Sequence, residues 1–248
     1  MRLFWGILTC LGSILLGSAG AGAESVSGLG NSGLTAGFDA WVTALEAETA
    51  PEAAWEYPFA APRPADLSAE EMKIVLALRR LVQNEDLENL AALADQVIRR
   101  QETPPTQMQF WLAYALHRLD RTEASLTQLH HLLQIPNSWE NLEKGQRAWV
   151  LTATGDLFFR LEKRHEAAVF YTRLAASHLD RLSLWGHYQL AGLDFLARQF
   201  AEAGRKYQLV CESEHAGTWR EHACSMAELS GRMGRLGKEG EPHVGASD

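Results

Sequence analysis

Two stretches of this chain, WVLTATGDLFFRLEKRHEAAVFY at 149–171 and WGHYQLAGLDFLARQFAEAGRKY at 185–207, carry one residue pattern 36 positions apart. Aromatic and small residues recur in a fixed order, as the pairs Trp149/Trp185, Gly155/Ala191, Phe159/Phe195, Ala167/Ala203 and Tyr171/Tyr207. Self-similarity at such a period is typical of a helical hairpin that buries its apolar face only against neighbouring copies. The sequence therefore predicts an all-α fold built from helix pairs.

Composition limits the class of partner. The 248 residues are 46% hydrophobic and 22% charged, which is ordinary for a globular protein. The formal net charge is −8, and no long block of Lys and Arg offsets it. Nucleic-acid partners are disfavoured, because a phosphate backbone is bound by clustered basic residues. We therefore predict no nucleic-acid binding.

Residues 1–23 have the pattern of a secretory signal peptide. Arg2 precedes a short apolar run at 3–16, and Ala21–Ala23 fits the small-residue cleavage rule. A membrane-spanning helix is disfavoured because it needs about 20 apolar residues. A lipid anchor on Cys10 is also disfavoured, since this cysteine lies inside the apolar run. We expect a periplasmic or secreted protein with no stable membrane span after cleavage.

The segment 24–67 is expected to hold little regular structure. Its first part, 24–35, is rich in Gly and Ser and is typical of a flexible leader. Apolar spacing over 38–47 predicts one short helix. Four prolines lie among three aromatic residues at 51–64, a density that excludes a regular helix. This Pro-rich part is interpreted as an ordered strap against the first repeat; docking into a groove or recruiting a partner is the alternative.

The repeat domain is predicted to cover 68–233. Capping boxes at Ser68–Glu71 and Thr218–Glu221 predict the start of its first and last helices. An insertion at 137–144 precedes the two matching hairpins. The tail 234–248 lacks periodic apolar content and is expected to be disordered.

The repeat domain resembles the tetratricopeptide repeat family, which has one small residue in each helix of the pair. Gly155 and Ala167 stand at these positions in the third unit, and Ala191 and Ala203 in the fourth. The second unit departs from the pattern, with Leu112 where a small residue is usual. The resemblance covers roughly four units and a terminal helix. It implies a right-handed α-solenoid whose concave face is lined mainly by the first helix of each pair.

The resemblance also implies candidate binding residues. Trp149, Trp185 and Trp219 recur near the starts of first helices, on the side that faces the groove in this family. Further candidates follow along the same helices: Phe159, Tyr188, Phe195 and His222. An aromatic row in a groove suits binding of a peptide or partner helix. Core packing is the alternative, because repeated large apolar positions are more often buried than displayed.

Cys211 and Cys224 are the two cysteines that remain after signal cleavage. An exported chain reaches an oxidising compartment in which such a pair can bridge. The two are expected on neighbouring helices but at different heights, so a disulfide and unpaired thiols both remain open. The nearby His215 and His222 do not follow a known zinc-binding spacing. We predict no metal site.

The sequence contains no catalytic motif that we could identify. It has no zinc-protease helix, nucleophile elbow, phosphate loop or dinucleotide turn, so neither enzymatic activity nor a cofactor is predicted. We expect a scaffold or adaptor that binds a peptide or partner protein in its concave groove, for instance in assembly of an envelope complex. The alternatives are a helical accessory subunit of a cell-envelope enzyme, and a carrier of a small apolar ligand. A closed pocket around Trp185 and Phe195 would favour the carrier.

Overall fold

The structure is a computed structural model that describes residues 31–47, 69–101 and 105–239. The predicted signal peptide and the Pro-rich strap at 51–64 lie outside these ranges. Within them the regular secondary structure is helical, without a strand. None of the described helices has the length and apolar character needed to cross a bilayer.

The described residues form ten α-helices and two short 3₁₀ segments. The α-helices are α1 (Asn31–Glu46), α2 (Ala69–Gln83), α3 (Leu87–Arg99), α4 (Thr106–Arg118), α5 (Thr122–Gln134), α6 (Lys144–Arg160), α7 (Arg164–Ala175), α8 (Asp180–Leu196), α9 (Phe200–Glu212) and α10 (Arg220–Glu239). The 3₁₀ segments, Ser138–Asn141 and Glu214–Trp219, precede α6 and α10. From α2 onward each helix packs against the next. The chain thus forms four hairpins, each with a first and a second helix, and α10 packs on the last of them.

All four hairpins turn through one backbone geometry. A residue with φ between 55° and 61° follows each first helix, and these residues are Glu85, Asp120, Glu162 and Arg198. The next amide donates to a carbonyl five residues earlier, as from Lys163 N to Phe158 O at 3.0 Å. This is the Schellman arrangement that ends many helices, usually with glycine. Because no turn has glycine at this position, the shared geometry could not be predicted from the residue pattern.

Two helices extend beyond their predicted ends. The first begins at Asn31 rather than at residue 38, so 31–35 are helical where a flexible leader was expected. The last continues to Glu239, into the predicted disordered tail. A glycine costs a helix only about 1 kcal/mol relative to alanine, which is too little to end a helix that is already formed.

Small residues lie where the helices approach most closely. Ala167, Ala191 and Ala203 are fully buried. A Cβ added at Gly155 would lie 2.5 Å from the ring of Tyr171. Close packing of neighbouring helices therefore depends on the small positions that define the repeat.

Helix α1 packs on second helices of the hairpins. A Cβ added at Gly37 would lie 2.2 Å from the carbonyl oxygen of Leu133, on α5. The ring of Phe38 contacts that of Phe170, on α7, with centroids 4.9 Å apart. The apolar side of α1 thus belongs to the main core of the repeat domain.

Cys211 and Cys224 lie at disulfide distance and connect the end of α9 to α10. Their Cα atoms are 4.8 Å apart, within the range that a disulfide requires. Of the two sequence-based alternatives, the geometry favours the bridge.

Reducing this disulfide is expected to lower the free energy of unfolding by about 2 kcal/mol, because a loop of this size gains chain entropy in the unfolded state. The cysteines are only 13 positions apart in the sequence, so the loosening should centre on α10. Urea unfolding followed by circular dichroism, with and without reductant, measures the change. The Cys211→Ser, Cys224→Ser variant is the control and should not respond to reductant. Equal stability of the wild type in both conditions would contradict the prediction.

Candidate functional site

The three repeated tryptophans are alike in being neither fully buried nor fully exposed. Trp149, Trp185 and Trp219 are all partly buried, and each keeps an exposed edge. Trp41 on α1 is fully buried instead. The repeated tryptophans therefore lie at the border between core and surface. Neither of the two sequence-based alternatives, an open groove or a closed core, described this position.

Trp149 belongs to an aromatic cluster on α4 and α6, here called the α4–α6 cluster: Phe110, Trp111, Tyr114, His117 and Trp149. The Trp149 ring lies 5.3 Å from Tyr114 and 5.5 Å from His117, centroid to centroid. Burial, with a smaller contribution from the charge of Arg160, lowers the pKa of His117 to about 4. The histidine is therefore neutral near pH 7, and the cluster has no positive charge of its own.

Sequence reasoning missed the members of this cluster on α4. The run Phe110-Trp111-Leu112-Ala113-Tyr114 was the available signal, with three aromatic residues within one and a half turns. It was not recognised because Trp111 has no counterpart at the same repeat position in the later units. Packing of α6 beside this hairpin, rather than repeat register, brings Trp149 against it.

A second group, here called the α8–α10 cluster, contains Trp185, Tyr188, Tyr207, Trp219 and His222. The rings of Trp185 and Trp219 are 4.7 Å apart. The Tyr188 hydroxyl lies 2.7 Å from Nδ1 of His222. Burial raises the pKa of Tyr188 to about 12 and lowers that of His222. Both groups are therefore neutral at pH 7, and a hydrogen bond joins the hydroxyl to the imidazole nitrogen, the tautomer of His222 deciding which of them donates.

Asp156 lies on α6, beside Trp185 of the α8–α10 cluster. The Tyr171 hydroxyl donates to its Oδ1 at 2.9 Å, and the Trp185 indole approaches the carboxylate without normal hydrogen-bond geometry. Burial raises the pKa of Asp156 to about 7, against the opposing effects of Tyr171, Arg160 and Trp185. The residue keeps a partly exposed edge. A carboxyl group with a raised pKa thus lies beside the rings of Tyr171 and Trp185.

Replacing Asp156 with asparagine is expected to stabilise the protein at pH 8 and to have little effect at pH 4. The folded-state pKa is raised above the reference value of 3.8, so the folded protein binds an extra proton between these values. Stability therefore falls as the pH rises from about 4 to about 7. Asparagine stays neutral and still accepts from Tyr171, for a gain of about 2 kcal/mol at pH 8 after allowance for water at the exposed edge.

Urea unfolding at the two pH values measures this effect. Asp95→Asn is the matched control, because Asp95 lies in an exposed ion pair with Arg99. The control should show no comparable dependence on pH. A variant at Asp156 that follows the wild type at both pH values would disprove the raised pKa.

The remaining predicted residues are placed apart from the tryptophan rings. Phe195 packs edge-on against Phe200, with centroids 5.3 Å apart. Phe159 is partly buried against the main core. Among the described residues, no ring contact joins Trp149 to Trp185. The predicted row of aromatics is therefore two separate clusters, with Asp156 beside the second of them.

Two cavities of the described structure lie elsewhere. One, of about 240 Å³, is lined by residues of α1, α7 and the loop before α8. The other, of about 530 Å³, is lined by residues of α3, α4 and α5 and by Pro136. Neither is lined by Trp185 or Phe195, so these cavities do not support the carrier of a small apolar ligand. Within the described ranges, no group of three or more His, Cys, Asp or Glu side chains is placed to hold a metal ion.

The comparisons with known proteins add no relative of this chain. No family model, curated protein or solved structure matches the chain. Membership of the tetratricopeptide family therefore stays a prediction from the pattern, and the function is inferred from surface chemistry.

Proposed function

We propose that this protein is an exported scaffold that binds a peptide or a partner protein through the first helices of its hairpins. Four hairpins with a common turn and small contact residues support a tetratricopeptide-like, right-handed solenoid. In that arrangement the first helices line the concave side. The cysteine pair at disulfide distance agrees with an oxidising compartment such as the periplasm.

The observation that carries this proposal is the shared partial exposure of Trp149, Trp185 and Trp219. Trp41, by comparison, is fully buried in the core. Partly exposed aromatic residues held by packing are typical anchors of protein interfaces, because they bury a large area at little cost in conformational entropy. Together with Asp156 these tryptophans form what we call the aromatic surface.

Site-specific photo-crosslinking in cells tests the proposal. A benzophenone amino acid is placed at Thr152 or at Gln189, which follow Trp149 and Trp185 at helical spacing on the same side of α6 and α8. The matched control is Gln208, an exposed residue of the second helix α9. We expect one protein to be captured from the first-helix positions and not from the control.

The captured product should also depend on the aromatic surface. Trp219→Ala is expected to abolish it, whereas Leu209→Ala, which removes an exposed apolar side chain of α9, should leave it unchanged. Circular dichroism must show that both variants remain folded. Equal capture from all three crosslinker positions, or capture that survives Trp219→Ala, would refute the proposal. A captured envelope enzyme would favour the accessory-subunit alternative.

A further inference from the structure

Helix α1 lies in a groove formed by α5 and α7, which are the second helices of their hairpins. Its apolar side chains Leu34, Phe38, Trp41 and Leu45 are at most 3% exposed. Their spacing of three to four residues forms one stripe along the helix. They pack into a cluster that includes Leu129 and Leu133 of α5 and Phe170 and Leu174 of α7.

The closest approach in this groove depends on glycine. A Cβ at Gly37 would lie 2.2 Å from the carbonyl oxygen of Leu133 and 3.0 Å from its carbonyl carbon. One turn earlier, a Cβ at Gly33 would lie 3.3 Å from the side-chain amide of Gln134. The helix therefore presents small residues to the end of α5 and large residues to the cleft beside it.

Two polar contacts fix the position of α1 along the groove. The Arg173 guanidinium on α7 donates to Asp39 Oδ1 at 2.7 Å. The backbone amide of His178, in the loop before α8, donates to Glu46 Oε1 at 2.8 Å. The groove thus recognises one carboxylate near the middle of the apolar stripe and one at its C-terminal end.

The docked helix has features of a replaceable ligand. A helix of 16 residues is marginally stable alone in water, so its order depends on the groove. The buried Trp41 indole nitrogen has no hydrogen-bond partner, which weakens the docked state. Residues 47–68 separate α1 from α2 in the sequence. The position of α1 therefore follows from the groove and not from a short connection to the next helix.

We propose that the α5–α7 groove is a helix-docking site that α1 fills within the chain and that a partner's amphipathic helix fills when α1 is displaced. The partner helix carries a glycine at the contact with Leu133 and large apolar residues one, four and eight positions later. It also carries acidic residues that meet Arg173 and the amide of His178. This is a helix-in-groove mode of recognition. It is independent of the aromatic surface.

The test uses the full chain and a fluorescein-labelled synthetic peptide of residues 31–47 as the probe. In the Gly37→Leu chain the larger side chain cannot approach Leu133, so α1 leaves and the groove opens. Fluorescence anisotropy should show that this chain binds the peptide at least tenfold more tightly than the wild type, whose tethered helix competes at high effective concentration. A peptide that itself carries Gly37→Leu should bind neither chain.

A charge exchange identifies the site of binding. Adding Arg173→Asp to the Gly37→Leu chain should weaken binding of the wild-type peptide at least fivefold, and a peptide with Asp39→Arg should recover it. If the Gly37→Leu chain does not fold, a chain with Trp41→Ala, which removes the largest buried side chain of α1, opens the groove instead. The proposal is overturned if the wild-type and opened chains bind the peptide equally well, or if the charge exchange leaves the affinity unchanged.

Discussion

Replacing Gly186 with alanine is expected to lower the free energy of unfolding by about 3 kcal/mol, at the upper end for an overpacked core. A Cβ at this position of α8 would lie 2.3 Å from the backbone nitrogen of Ala175 and 2.6 Å from the carbonyl oxygen of Tyr171. Both atoms belong to the backbone of α7, so no side-chain rotation can relieve the contact. The two helices must separate. Urea unfolding followed by circular dichroism measures the loss.

Gly192→Ala is the matched control on the same helix. A Cβ there would lie 3.5 Å from the Tyr207 hydroxyl, which is an ordinary contact. Alanine is the better helix former by about 1 kcal/mol, so this variant should be as stable as the wild type or more stable. If Gly186→Ala were tolerated equally well, the close approach of α7 and α8 would be wrong.

Replacing Trp41 with alanine is expected to cost about 4 kcal/mol, because a fully buried tryptophan leaves a large cavity. The loss should appear in the docking of α1 before it affects the hairpins, since Trp41 lies on a helix held in place mainly by its side chains. Amide hydrogen exchange resolved along the chain measures this directly. We expect faster exchange across α1 and unchanged exchange in the inner turns of α6 and α8.

Thr43→Ala is the control on α1. Its side chain is exposed and its hydroxyl donates to the Asp39 carbonyl within the same helix. Removing it should change stability by no more than about 0.5 kcal/mol. Uniformly faster exchange in the Trp41→Ala variant, over the hairpins as well as α1, would show that α1 is an integral part of one cooperative unit.

The exchange and peptide experiments examine one groove by independent means. The first asks how firmly α1 is held, and the second asks whether the groove accepts the same helix from outside. A protein of this form would have two binding regions on different sets of helices. The aromatic surface uses first helices, whereas the α1 groove uses second helices.

The parts of the fold that sequence predicted well depend on local pattern. The spacing of Gly155, Ala167, Ala191 and Ala203 indicated helix pairs that approach closely, and the described residues are helical with these positions buried. The repeat pattern did not single out Gly186, although a Cβ added there would lie closer to α7 than a Cβ added at Gly155 would. It lies one residue after Trp185 and has no small counterpart at position 150 in the preceding repeat.

The candidate site was predicted less completely. The tryptophans at 149, 185 and 219 were identified from their recurrence. The sequence left open whether they lie in the core or in an exposed groove. Asp156 was not singled out at all, because the sequence shows an aspartate in a helix and gives no sign of the environment that raises its pKa. Burial between helices raises that pKa, while Tyr171 and Trp185, on the next two helices, oppose the shift.

The sequence by itself determined that this protein is a series of helical hairpins, because a repeated order of small and large residues shows which sides of each helix are apolar. Only the tertiary structure decided what covers those sides. It placed α1 against α5 and α7, left each repeated tryptophan partly exposed, and brought Asp156 beside Tyr171 and Trp185. The physical reason is that periodicity is a property of one helix, whereas burial, partial exposure and a shifted pKa depend on groups contributed by neighbouring helices.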